Sequence, residues 1–159
     1  MKGPDEVNGD TGEAVSLQVA PPTLSLAEVN AKIEGDTKEF FSIRMLDEAE
    51  SYFSGLSIRR RHLLVDALVT KSIEMQEQDV VLVSELFIRV REKGLVGPRV
   101  FERGFNDLAT VLNDLAVDIP KAWSYFAILL RGSGLDQDEE RRVRIAEKTM
   151  DPDKLNSLL

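Results

Sequence analysis

The strongest constraint on this chain is a stripe that keeps returning: apolar residues at steps of three and four, each run closed by a short polar, Gly or Pro break. Leu46, Ala49, Phe53 and Leu56 make one such stripe, and Leu64, Val65, Leu68, Val69 and Ile73 make the next. Val83, Leu86, Phe87 and Val90 follow, then Phe101, Phe105, Leu108, Leu112 and Leu115, then Ile119, Ala122, Trp123, Phe126, Leu129 and Leu130. Steps of three and four place every member on one side of an α-helix, whereas a strand needs alternation. No run alternates, and no strand–helix–strand unit is visible. The expected fold is all-α: about six or seven helices in antiparallel pairs, stacked as a short HEAT-like α-solenoid.

Local signals mark where these helices begin and end. Ser25 and Glu28 have capping-box spacing, with Leu24 and Val29 at the staple positions around them. Gly35 fits a helix stop, after which Asp36 and Glu39 restart a short helix carrying Phe40 and Phe41. Arg89, Arg91 and Lys93 favour the negative end of a helix dipole, and Gly94 closes it. Gly97-Pro98 opens another helix, since proline is tolerated where its missing N–H is not needed. Residues 1–24 are rich in Gly, Pro and acids and have no period, so they are expected to form a disordered leader. The helical domain spans 25–134. Beyond the break at Gly132-Ser133-Gly134, residues 135–159 form a charged helical extension, with Val143, Ile145 and Ala146 among its few apolar residues, expected at the edge of the fold or out in solvent.

Charge and composition narrow the function. The 159-residue chain has a formal net charge of −8, the wrong sign for a general nucleic-acid binder. It has no cysteine, so thiolate metal sites, thiol nucleophiles and disulfides are excluded. No apolar run is long enough to span a membrane, and no signal-peptide pattern opens the chain. Its lone histidine, His62, has no partner in sequence for nucleophilic catalysis, and neither a phosphate-binding Gly-rich loop nor a helical metal-ligand pair is present. The expectation is a non-enzyme without metal or cofactor, working in the cytoplasm as a monomer. Arg59, Arg60 and Arg61 form the one basic cluster. It reads either as a phosphate contact or as a solvated first turn paired with acids such as Asp66 or Glu48.

The remaining signal is acidic. Counting about 100° per residue from Phe101, the core stripe stays within roughly 40° of zero, while Asp107, Asp114 and Asp118 fall near −120°, −140° and −100°. All three carboxylates share one outward face. Arg103 is within reach of Asp107 one turn on, but of neither other acid. Asp114 and Asp118 stand near a helix C-terminus, where negative charge costs about 0.3–1 kcal/mol each, so stability alone does not select them. Two readings stay open for Asp118, a binding anchor or the N-cap of the helix carrying Pro120 with its carboxylate on the Lys121 N–H. Asp114 reads as an anchor or as an ordinary solvated side chain.

KEFFSIRMLDEAESYFSGL at 38–56, ERGF at 102–105 and DLAVDIPKAW at 114–123 together resemble the MA-three domain, a helical relative of HEAT repeats. The likeness runs from about Leu26 to Gly134, and acid-x-x-x-acid-Ile-Pro is its most specific part. The resemblance is greatest to the domain of eukaryotic translation initiation factor four gamma. It implies a non-catalytic scaffold module whose partner is the DEAD-box RNA helicase of initiation factor four-A type. It further implies that the acid pair, here Asp114 and Asp118, contacts the helicase, with Asp107 and Lys121 beside it. Met45 departs from the family, which often carries an acid at that place. Alternatives within the resemblance are the domain of a programmed-cell-death-four-like translation inhibitor or of a nuclear RNA-processing protein. Outside it stands a helical repeat binding RNA directly through Arg59, Arg60, Arg61, Arg89 and Arg91, which the net charge makes the weaker reading.

Overall fold

A computed structural model describes residues 24–159. Among these, eight α-helices follow one another: α1 (Leu26–Ile43), α2 (Leu46–Ser54), α3 (Arg61–Ile73), α4 (Glu77–Glu92), α5 (Pro98–Asp118), α6 (Ala122–Ser133), α7 (Glu139–Lys148) and α8 (Pro152–Leu158). Short 3-10 turns at Ile58–Arg60 and Leu135–Gln137 precede α3 and α7. The leader expected at 1–24 lies outside the described residues apart from its last one.

Two to three residues separate the helices within each pair, which folds the pair back on itself. Odd-numbered helices then pack in one layer, α1 on α3, α3 on α5 and α5 on α7, while α2, α4, α6 and α8 form the other. This is the HEAT-like stack that the periodicity predicts. Its core is the set of stripes: nearly every stripe residue is buried, with Leu46, Leu115 and Ile119 only partly covered. Phe87, Phe101, Phe105 and Phe126 meet edge-on at centroid distances of 5.2–6.1 Å and tie α4, α5 and α6 together.

Close approach between neighbouring pairs depends on two glycines. A Cβ on Gly104 would lie 2.4 Å from Val65 Cγ1, and one on Gly132 would lie 2.5 Å from Ser84 Oγ and 2.8 Å from the Ser84 carbonyl. Gly104 therefore lets α5 settle onto α3, and Gly132 lets α6 settle onto α4. The break expected at Gly132 is a packing position inside α6. Only Gly134, at φ +81°, ends the helix in the left-handed conformation that glycine tolerates.

Two further expectations need correction. The capping box at Ser25 and Glu28 is present, with reciprocal bonds of 2.8 and 3.1 Å, but α1 does not stop at Gly35. Val29, Ile33, Thr37 and Phe40 continue one buried face across it, and that burial outweighs the ~1 kcal/mol helix penalty of a glycine. The helix count is eight because the C-terminal extension forms two helices. Of the two placements expected for the extension, the structure shows the edge: its helices pack at the end of the stack, where Ile145, Ala146 and Leu155 are buried and Arg141 and Arg144 bracket Glu102 of α5 at 2.7 and 2.8 Å. Two of the α7 charges, Arg141 and Arg144, thus hold it against α5.

Candidate docking site at the α5–α6 junction

Proline decides where α5 ends. Pro120 has no N–H to continue the ladder, and it forces Ile119 out of the helical region to φ −123°, ψ 89°. The last α5 bond runs from the Ile119 N–H to the Leu115 carbonyl at 2.9 Å. The Ala122 N–H then donates to the Ile119 carbonyl at 2.9 Å and starts α6 after a turn of three residues. Trp123 and Phe126, 2% and 0% exposed, pin the start of α6 into the core. The junction is short and anchored on both sides, so side chains on its outer face are held by a rigid frame.

That outer face carries the acids. Asp107, Asp114 and Asp118 are all exposed, and no lysine or arginine of the described residues forms an ion pair with any of them. Arg103 does not close onto Asp107, although helical spacing allows it. Asp118 is the last residue of α5 and caps nothing: the N-cap of α6 is Lys121, and no side chain satisfies that end. Lys121, expected beside the acids, instead reaches toward Glu77 of α4, at 4.0 Å with both side chains exposed. Among the described residues the junction therefore presents a row of carboxylates without ion-pair partners, and Lys121 bridges loosely to the neighbouring pair.

Two residues on this surface escaped the sequence reading. Val111 is 46% exposed and Val117 is 80% exposed, both on α5. On the 100° wheel Val111 lies near −80°, within the sector of the aspartates, and Val117 near 160°. Their signal was legible: each is an apolar residue off the core stripe of a helix whose other face is polar. Acids for orientation with apolar side chains between them are the usual makings of a protein contact surface.

The arginines resolve differently from a nucleic-acid surface. The Arg61 guanidinium donates to the Leu56 and Leu95 carbonyls at 3.0 and 2.8 Å and so serves as an internal clamp. Arg89 is held by Asp47 and Glu50 at 2.6 and 2.9 Å, and the Arg91 side chain packs beside Gly134. Neither Asp66 nor Glu48 pairs with the cluster. Arg59 and Arg60 face His62 and Arg103 instead. Burial holds the His62 imidazole below its usual range, and the charges of Arg103 and Arg60 push the same way.

Among the described residues, no group of three or more His, Asp or Glu is arranged to hold a metal ion, and no helix is long and apolar enough to cross a membrane. The model of the MA3 domain matches residues 30–132, well over half the chain. The protein belongs to the MA3 domain family. MA3 domains are helical protein–protein interaction modules and not a known catalytic family, and the match covers α2 to α5 entirely and α6 up to Gly132. In this MA3 domain the acidic junction lies inside the matched region, whereas α7 and α8 follow it.

Proposed function

We propose that this MA3 domain docks a DEAD-box RNA helicase of initiation factor four-A type, as a module of a translation initiation scaffold like factor four gamma. The observation that carries the reading is the pair Asp114 and Asp118, exposed and without an ion pair to any cation of the described residues, at a junction braced by buried aromatics. Bare like charges at a helix C-terminus cost stability, and a partner with a basic surface offsets that loss on binding. Asp107 extends the acidic row, Lys121 orients the adjoining pair, and Val111 and Val117 supply the apolar contact. The module adds no chemistry of its own, acts as a monomer, and belongs in the cytoplasm with the translation machinery.

Charge reversal tests it. Asp114→Lys with Asp118→Lys should lower helicase affinity at least about a hundredfold, as loss of close interfacial charge pairs can, while circular dichroism and melting stay near wild type. Retained binding by a folded double variant excludes the junction as the docking site. Raising salt from about 50 to 500 mM should weaken wild-type binding steeply, because exposed pairs are screened beyond about 8–10 Å at physiological ionic strength.

A further inference from the structure

Arg59, Arg60, His62 and Arg103 face one open cleft of about 620 Å³ between the start of α3 and the first half of α5, with Leu26 and Leu63 as its apolar wall. Nothing in the docking reading uses it. No side chain of the described residues caps the start of α3, so the positive end of its dipole adds to the field of the arginines. Cations are disfavoured at that end of a helix, yet Arg59 and Arg60 stand there, and Arg103 arrives from α5. No carboxylate of the described residues pairs with any of the three, whereas Arg44, Arg89, Arg141 and Arg144 all have acidic partners.

We infer that this cleft binds a single phosphate monoester carried on a protein segment, a phosphoserine or phosphothreonine flanked by apolar residues. Guanidinium groups from the turn before α3 and from α5 can grip one dianion from different sides. Leu26 and Leu63 suit the apolar neighbours of the modified residue. A nucleic-acid chain fits less well: no Phe, Tyr or Trp lines the cleft to stack a base. Its next phosphates would also meet acids, since Asp107 is close enough to act on His62 and Asp66 is close enough to feel Asp107. Arg89 and Arg91 are engaged elsewhere and extend no basic path.

Binding is coupled to a proton. Burial opposes protonation of the His62 ring, and the charges of Arg103 and Arg60 push the same way, whereas a hydrogen bond to the Arg59 backbone and the charge of Asp107 favour it. A bound dianion reverses that field, so His62 takes up a proton from solvent as the phosphate enters.

Because the chain has one histidine, imidazole resonances report on the cleft without ambiguity. With the full chain, an acetylated Leu-phosphoserine-Leu peptide should shift the His62 signals and raise its titration midpoint by about half a unit or more. The unphosphorylated peptide should do neither. Arg59→Gln with Arg103→Gln should weaken phosphopeptide binding about tenfold or more with unchanged helicity, and Asp114→Lys with Asp118→Lys should leave it intact. Should the double glutamine variant unfold, Arg103→Gln alone, at an exposed position, makes the same comparison. The proposal is overturned if the two peptides act alike or neither moves His62. Inorganic phosphate binding as tightly as the phosphopeptide would reduce the cleft to a free-anion site, and pentauridylate binding more tightly would assign it to nucleic acid.

Discussion

The two ends of α5 treat carboxylates in opposite ways. Near its start Glu102 is 12% exposed and gripped by Arg141 and Arg144. At its end Asp114 and Asp118 stand in solvent with no cation of the described residues beside them. Both ends carry negative charge on the same helix, so composition does not explain the difference. Where an acid is partly buried, desolvation must be offset, and α7 brings two guanidinium groups to do so. Where an acid is exposed, solvent tolerates it and nothing internal need answer it. Braced acids hold the fold together, and bare ones are left for another molecule.

The largest expected effect comes from removing the frame beneath the bare end. Trp123→Ala empties a buried aromatic site, also covered by the Lys154 ammonium 5.1 Å from the ring centroid. It should cost about 3–5 kcal/mol in chemical denaturation and lose helicase binding through unfolding. Unchanged stability would mean that the junction does not depend on its aromatic floor. Next, Glu102→Gln should lose about 1–2 kcal/mol, discounted for the solvent around Arg144, and loosen α7 as seen by faster amide exchange there. Helicase affinity should hardly move. If it falls as far as with the junction reversal, the two ends are not separate in role.

Acid pH sharpens the contrast. The carboxyl of Glu102 is held below its usual value of 4.5 chiefly by its bond to Arg144, with Arg141 assisting. Glu50 is lowered likewise by its bonds to Lys93 and then Arg89. Lowered folded-state values mean that the unfolded chain binds more protons near pH 4.5, so stability rises with pH there. The contribution is fully present above the unfolded value and disappears as pH falls through the lower folded ones. Between about pH 5 and 3, Glu102→Gln should show a shallower loss of denaturation free energy than wild type. An equal slope would mean that the bracket contributes nothing in solution. The smallest effect is reserved for Asp114→Asn with Asp118→Asn, which should change stability by less than about 0.5 kcal/mol, or raise it slightly, because like charge at a helix C-terminus is relieved.

Most elements could be read from neighbours in the chain. The stripes, the Ser25 cap, the Pro98 start and the Pro120 break each involve residues within a turn or two of one another. Gly35 misled for the opposite reason: its local preference is to stop a helix, and what overrides it is burial of Val29, Ile33 and Phe40 against other helices. Gly132 also looked like a break, since only the Ser84 backbone, 48 positions earlier in sequence, reveals why a larger residue does not fit. Val111 and Val117 were visible as misplaced apolar residues but gained meaning only with their exposure.

What the sequence alone determined was which residues of one helix share a face, including the common face of Asp107, Asp114 and Asp118, because 100° per residue is a property of the backbone. Which cation meets which acid belonged to the tertiary structure. Lys121 turns to Glu77, Arg61 to the Leu95 carbonyl, Arg89 to Asp47 and Glu50, and the α7 arginines to Glu102, across 34 to 44 positions of chain. Those partners are set by how helix pairs stack, and stacking follows from the summed burial of many side chains, which no local pattern encodes.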